Sequence, residues 1–455
     1  MSILYSNSDM VLIEEKIDDI IDNARREELK RLEPSLEEYN NVMSIILSFI
    51  KDNKRIIYGG WGWNKLITFK NNEDRIYSED KIELPDVEFY SPEPAQDLVK
   101  ICDILYKKNF NSVRGEEAQH HETYKLFVNY LPYVDISYMP KLIFHRMPII
   151  KMDGLLISHP KFILIDILRM YNDPITSYWR VKKNLIRANK LLKHYPLDTK
   201  GNLTKIEISS GTQNVLDYVR KEIINGSELL VFGYYGFQYY MYKANDSKKE
   251  ELYVPYYDVI STNLEIDVHN IHKKLIDKYG EDISVIEYHP FFQFMDYNIS
   301  FLYKGKQVLN VYGGNGKCIP YFHLENKNIN IVTFPYMILT LLVRHMYHLI
   351  QGNHETSKNY DYLLEQIIKG RNTYLKTHKK NILDDTPFQE FRVQCFGETM
   401  DEQRKYRIST DEKYKKKTLI KWRYNPTNGK SVDTSNYCFD NTSGNPNNGK
   451  RRILR

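Results

Sequence analysis

The chain has 455 residues, of which 27% are charged and 42% hydrophobic, with a formal net charge of +5. That length allows two or three domains, each with a core, and the composition excludes a wholly disordered or collagen-like chain. No apolar run approaches the ~18–20 residues that cross a bilayer, since the stretch around residues 162–168 is broken by Asp166, so no membrane contact is expected. The opening residues lack a basic region followed by an apolar stretch, so no secretory signal is expected either. The four cysteines, Cys102, Cys318, Cys395 and Cys438, form no CxxC pair, which predicts reduced thiols in a cytosolic compartment. Tyr occurs 37 times against 19 Phe, among abundant Lys, Asn and Ile, a mixture that suits an AT-rich genome.

In chain order, residues 1–35 read as a helical extension. An amphipathic helix follows over 36–50, with Leu36, Val42, Met43, Ile46 and Ile50 on its apolar face. It leads into RIIYGGWGWNKLI, a strand that breaks at a glycine turn. A strand comes next at PDVEFYSP, then a helix with Leu98, Cys102 and Leu105 at helical spacing, a strand pair over 124–138, and a helix over 159–171. The same series recurs later. Residues 215–224 lead into LLVFGYYGFQYYM, so that Gly59 and Gly62 are answered by Gly233 and Gly236. YYDVISTN around Asp258 answers the Asp86 segment, and residues 297–312 answer the strand pair. Pro160, Ile163, Leu164 and Arg169 are matched by Pro335, Ile338, Leu339 and Arg344. The expected organisation is therefore a first copy over 36–200, a second over 201–385 and a basic region over 386–455, each copy a mixed sheet backed by helices.

The chemistry concentrates in the first copy. In Asp86-Val87-Glu88-Phe89 the acids alternate with apolar residues, so a strand presents both carboxylates on one face. Asp135 lies in YVDISY with the same alternation, and neighbouring strands would bring three carboxylates together. Such a cluster needs cations, and oxygen ligands select Mg²⁺ or Mn²⁺. Two ions ~3.5–4 Å apart suit an in-line displacement at phosphorus, one activating an attacking hydroxyl and the other holding a triphosphate. Gly59 and Gly60 would let backbone N–H groups approach the phosphates.

Tyr58-Gly59-Gly60, then Asp86-x-Glu88, then Asp135 resembles the signature of the nucleotidyltransferase superfamily. Together with the degenerate second copy, the chain resembles the poly(A) polymerase catalytic subunits of large cytoplasmic DNA viruses, the poxvirus type and especially the giant-virus, mimivirus-like type. The resemblance implies an α+β fold of two tandem nucleotidyltransferase-like subdomains, the second degenerate, plus the basic C-terminal region. It implies template-independent addition of AMP from ATP to the 3′ end of viral mRNA, with Asp86, Glu88 and Asp135 as catalytic and metal-binding residues and Gly59 and Gly60 at the nucleotide. It also implies a homodimer, or a separate processivity factor as in the poxvirus type, acting in the host cytoplasm, at the viral factory, and in the virion. Two departures stand out: glycine-glycine replaces the usual glycine-serine pair, and the interval from Gly60 to Asp86 carries an insert near residues 71–81.

The second copy reads as chemically lost: Asp258 takes the first acidic position, Ile260 that of Glu88 and Asn310 that of Asp135. GGNGKC over 313–318 fails the spacing of a phosphate-binding loop. Trp61 and Trp63 are candidates for stacking on a base or for core packing, and Arg169, being duplicated, for a structural role. Residues 404–455 carry a net charge of +10 against −5 for the rest, which predicts RNA affinity, with Trp422 and Tyr424 available to stack on bases. Alternative readings are a nucleotidyltransferase for another acceptor and a non-catalytic RNA-binding subunit.

Overall fold

The structure, a computed structural model, describes residues 5–32, 36–77, 86–120, 122–173, 175–197, 201–245, 253–314, 316–400, 402–418 and 421–428. Among these, no helix is long and apolar enough to cross a membrane.

Two eight-stranded sheets hold the molecule together. The first contains β1 (Ile56–Tyr58), β2 (Val87–Ser91), β3 (Arg114–Glu117), β4 (Thr123–Val128), β5 (Leu131–Tyr138), β6 (Ile149–Met152) and β7 (Leu155–Ser158). The second contains β8 (Leu230–Phe232), β9 (Tyr257–Ser261), β10 (Ile283–Tyr288), β11 (Asn298–Tyr303), β12 (Lys306–Gly313), β13 (Cys318–Leu324), β14 (Ile329–Val332) and β15 (Cys395–Gly397). A last strand, β16 (Arg423–Tyr424), completes the first sheet. The orders are β16-β3-β4-β5-β2-β1-β7-β6 and β10-β11-β12-β9-β8-β14-β13-β15, so seven strands repeat in one order and the eighth is added at opposite edges. The internal duplication is thus present strand for strand.

By packing, the chain divides into two units. The first is Met1–Ser137, Lys151–Leu156 and Lys421–Thr434, and the second is Tyr138–Ile150, Ile157–Ile420 and Ser435–Arg455. This differs from a cut near residue 200. The helix Pro160–Tyr171 belongs to the second unit, where it packs on the helix Phe334–Gln351.

The first core follows from alternation along β2. Val87 and Phe89 are fully buried on one face, against Leu98, Ile101, Cys102 and Leu105 of the helix Pro94–Lys107. Gly115 on β3 lets Leu98 pack against the strand, since a Cβ there would lie 2.6 Å from Leu98 Cδ2 and force the leucine to shift. Arg55 donates to both oxygens of the buried Asp97 at 2.6 and 2.9 Å, and the Ser91 hydroxyl donates to the same carboxylate at 2.5 Å. Ser261 donates likewise to Asp267 in the second sheet, which fixes the register of the two copies: β2 residue n corresponds to β9 residue n + 170.

Two expectations are corrected here. Trp422 and Tyr424 do not offer free faces to bases. Trp422 is 1% exposed and packs edge-on against Tyr124 at 5.6 Å, while Tyr424 donates its hydroxyl to Asp103 at 2.5 Å. Lys421 and Arg423 reach the partly buried Glu116, at 2.9 and 3.4 Å. The alternation of basic and aromatic residues in this segment is that of an edge strand, with its apolar side chains in the core. The basic residues from 429 onward lie outside the described residues. Second, Cys318 and Cys395 form a disulfide across the β13–β15 pair, with their Cα atoms 5.3 Å apart. Strand pairing brings together two thiols that the sequence separates by 77 residues. Cys102 is a buried free thiol, whereas Cys438 lies outside the described residues.

Candidate active site

β1 ends at Tyr58 in extended conformation, and the chain turns at Gly59, with φ of +65°, straight into the helix Gly59–Lys70. The reason for glycine is Glu88. Tyr58 pairs with Glu88 across β1 and β2, and a Cβ on Gly59 would lie 1.6 Å from Glu88 Oε2. The carboxylate occupies that space and accepts a hydrogen bond from Gly60 N–H at 2.7 Å. The N–H expected to cradle phosphate is therefore engaged by one of the expected metal ligands. The first-turn amides of a helix favour a negative group.

Asp86 immediately precedes β2, and β2 neighbours β5, which carries Asp135. Asp135 sits opposite Lys125 in the β4–β5 hairpin, and the Lys125 ammonium lies 2.8 and 2.9 Å from its two oxygens. Burial pushes the Asp135 carboxyl above the usual carboxylate range; Lys125 opposes that shift, and the charge of Asp86 adds to it. The two carboxylates are thus close enough to repel. Beside them the Tyr58 and Tyr90 rings stack at 3.9 Å, and the Tyr58 hydroxyl meets Ser137 Oγ at 2.7 Å, which continues to Thr123 Oγ1 at 3.0 Å. Burial, reinforced by Glu88, raises the Tyr58 phenol well above its ordinary value, so it stays protonated as a hydrogen-bonding group.

Among the described residues no three acidic, His or Cys side chains meet as a ready metal cage. The donor set nevertheless suits a hard divalent ion. The buried Oδ1 of Asp135 makes no well-aligned hydrogen bond, although the Lys125 ammonium lies 2.8 Å from it, and the Asp86 carboxylate acts on the same group, a set of hard oxygen donors. Lys125 and the Tyr58–Ser137–Thr123 chain were not anticipated. The signal existed: in a tight hairpin over 124–138, Lys125 faces Asp135 on the same side of the sheet. Trp63, by contrast, is a core residue at 4% exposure.

The second sheet corrects the earlier register. Asp258 pairs with Phe232 as Glu88 pairs with Tyr58, and a Cβ on Gly233 would lie 2.0 Å from Asp258 Oδ2. Asp258 is therefore the counterpart of Glu88. Tyr256 stands in the place of Asp86, Ile260 in that of Tyr90, and Asn310 in that of Asp135. One carboxylate of three remains. Arg344 Nη1 lies 2.6 Å from Asp258 Oδ2, and Asn310 donates to Asp258 Oδ1 at 2.7 Å. Arg169, its counterpart on the earlier helix, donates instead to the carbonyl of Gln293 at 2.9 Å, a structural contact.

Comparison with known proteins gives a consistent picture. Residues 44–177 match the family described as "Poly(A) polymerase catalytic subunit", and residues 189–454 match the family described as "APMV, Putative poly(A) polymerase, catalytic subunit, C-terminal". A protein of Acanthamoeba polyphaga mimivirus named "Putative poly(A) polymerase catalytic subunit" is 34% identical over 97% of this chain and 82% of its own length. A relative of the same name from African swine fever virus is 29% identical over 37% of this chain and 36% of its own. The crystal structure of the Megavirus polyadenylate synthase superposes with a TM-score of 0.86 at 32% identity, covering 96% of this chain and 89% of that one. The chain belongs to the viral poly(A) polymerase catalytic subunits.

Proposed function

We propose that this enzyme adds AMP from ATP to RNA 3′ ends without a template, and that Asp86, Glu88 and Asp135 are its catalytic carboxylates. The observation that carries this reading is their arrangement around the Gly59 turn, with Glu88 seated on the turn and Asp135 within electrostatic reach of Asp86. These three residues would hold Mg²⁺ or Mn²⁺, which supplies charge neutralisation for a 3′-hydroxyl attacking the α-phosphate and for departing pyrophosphate. Without metal, Lys125 partly balances the negative charge at Asp135 and the Gly60 amide holds Glu88. If Glu88 were to hold a cation, the Gly60 N–H that it now engages would be available to a phosphate oxygen, so the two expected roles of the glycine turn are compatible.

The family resemblance further supports an RNA acceptor, a homodimer or a separate processivity factor, and action in the infected cell's cytoplasm. The test is extension of an oligoadenylate primer by the full chain with ATP and Mg²⁺ or Mn²⁺. Stepwise lengthening with pyrophosphate release is expected. A folded protein that lengthens no RNA, but transfers AMP to a small molecule or a protein, would replace the RNA acceptor.

A further inference from the structure

After the helix Pro160–Tyr171 the second unit continues through a short turn, Tyr178–Arg180, into the helix Val181–His194. From Ile175 to Leu197 the sequence carries Arg180, Lys182, Lys183, Arg187, Lys190 and Lys193 and no Asp or Glu. Asn184, Ala188 and Leu191 recur at helical spacing and form the buried stripe of the helix. Away from that stripe Lys182, Leu185, Ile186 and Asn189 are exposed. Ahead of them Tyr178 and Trp179 are 69% and 52% exposed, with ring centres 5.3 Å apart and ring planes nearly perpendicular.

One exposed apolar side chain is ordinary in a folded protein, whereas two adjacent large rings open beside cations make a patch. Arg180 is exposed and its guanidinium reaches the sulfur of Met170 at 3.4 Å; among the described residues neither it nor Lys182 enters an ion pair. β16 shows the opposite arrangement, with Trp422 1% exposed and Lys421 and Arg423 on Glu116. The chemistry of the patch selects its occupant. A lipid surface needs a continuous apolar face, and here Arg180 and Lys182 interrupt the apolar side chains. A second copy of the chain docked symmetrically would set these cations against themselves. A strand that carries both phosphates and flat rings satisfies both features, cations for the one and open aromatic faces for the other.

We propose that the surface from Tyr178 to Asn189 docks single-stranded RNA, with bases stacked on Trp179 and Tyr178 and phosphates held by Arg180 and Lys182. Every base has a face to stack and every unit a phosphate, so the surface grips the strand without reading its sequence. Lys182, Ile186 and Asn189 continue along one side of the helix over about 10 Å, at about 1.5 Å per residue, so the track extends beyond the stacked bases. Its part in the reaction is to hold the acceptor strand, which rests on the reading of RNA as the acceptor. The binding itself needs neither metal nor ATP.

The experiment measures binding of a labelled oligoadenylate to the full chain in EDTA across a salt series. Trp179→Ala should weaken binding about tenfold. Arg180→Gln combined with Lys182→Gln should flatten the slope of log K against log salt by about 1.4, two phosphates at roughly 0.7 each. Lys273→Gln combined with Lys306→Gln removes two exposed cations elsewhere in the unit and should leave affinity and slope as they are. Every altered side chain is exposed, and thermal melting confirms the fold of each variant. In primer extension Trp179→Ala should raise KM for the oligoadenylate about tenfold, with kcat at saturating primer within about twofold. A parent that binds no oligoadenylate, patch variants that bind as the parent does, or an equal flattening in the control pair overturns the proposal. So does a loss confined to self-association or to vesicles of anionic lipid, which would assign the patch to a second copy or to a membrane. Oligoadenylate held through this surface by a chain that extends no primer would refute the RNA acceptor and leave the docking surface standing. Primer extension with unaltered binding by both patch variants would do the reverse.

Discussion

The two sheets pose one electrostatic problem and solve it in opposite ways. In the first, three acidic positions are kept, and the cation that faces Asp135 is Lys125, whose side chain is 30% exposed and stands on a flexible stem. Glu88 accepts a hydrogen bond from a neutral backbone amide, that of Gly60, at 2.7 Å. In the second, Asp258 is 1% exposed and is clamped by Arg344, itself 8% exposed, and by Asn310. A carboxylate faced by a half-exposed lysine can be handed to a metal ion. A carboxylate buried against a guanidinium cannot, because moving either partner leaves an uncompensated charge in a low dielectric. Loss of chemistry in the second copy is thus more than the loss of two acids. The remaining acid has been converted into a structural tie.

The sharpest way to break this comparison is to neutralise one carboxylate on each side. Glu88→Gln and Asp135→Asn should each lower primer extension by a factor on the order of a thousand, about 4 kcal/mol in the barrier, with little change in melting temperature. Asp258→Asn should do the reverse. It leaves Arg344 buried without its partner and should cost about 3–5 kcal/mol of stability, while the rate per folded molecule stays within about twofold. Primer extension by Asp258→Asn at a temperature where the variant is folded decides the matter. An inactive but folded protein would mean that the second sheet takes part in the reaction.

How much of this was legible in the sequence depends on which physical signal was available. The duplication, the strand pairs and the candidate acids were legible, because alternation and glycine spacing are local. The register of the second copy was not. A slip of one residue would have put Asp258 on the wrong face, but a slip of two keeps every side chain on its face, so alternation could not detect that Asp258 answers Glu88 and not Asp86. The serine–carboxylate pairs, Ser91 with Asp97 and Ser261 with Asp267, would have fixed it. The disulfide was invisible because only the β13–β15 pairing joins its ends. Trp422 and Tyr424 were misread because net charge dominates an average over the segment, whereas one buried indole decides where a strand goes.

That segment gives the second prediction. If β16 completes the first sheet, Trp422→Ala should cost about 3–5 kcal/mol, the usual range for emptying a buried Trp site. The loss should fall on the first unit. Of the three tryptophans the variant keeps, Trp61 and Trp63 lie in the first unit and Trp179 in the second, so its fluorescence reports chiefly on the first unit. A variant that melts as the parent does would return Trp422 to the RNA-binding role that its surroundings exclude. The disulfide makes a matching test of the second unit. Cys395→Ser should lower its stability by up to about 4.5 kcal/mol, the chain-entropy figure for a loop of 77 residues. The shift should vanish when both proteins are melted under reducing conditions.

The smallest effect separates the units by pH. Three histidines of the second unit are shielded from solvent, His345 buried and His159 and His348 half-buried. Burial pushes His159 down to about 4, helped by Lys161, and pushes His348 down to about 3, helped by Arg344. His345 is lowered too, again by burial first, with Asp361 opposing. The geometry agrees: His159 Nδ1 accepts a hydrogen bond from the Lys161 amide, which the protonated ring cannot do, and His348 Nδ1 is buried without a partner. In the unfolded chain these rings titrate near 6.5. The unfolded state therefore takes up protons first as the pH falls, and stability is lost below about 6.5 and down toward the folded values, not gained. By pH 6 the loss is about 1 kcal/mol for each ring that stays neutral in the folded protein. Glu390, raised by burial, works in the opposite direction and offsets part of it. Melting followed by circular dichroism from pH 7 to pH 5.5 should show the second unit weakening ahead of the tryptophan signal of the first. His348→Gln should flatten that dependence by about one ring's share. A variant whose stability follows pH as steeply as the parent's would show that His348 is protonated in the folded state and that the Arg344 cluster tolerates a further charge.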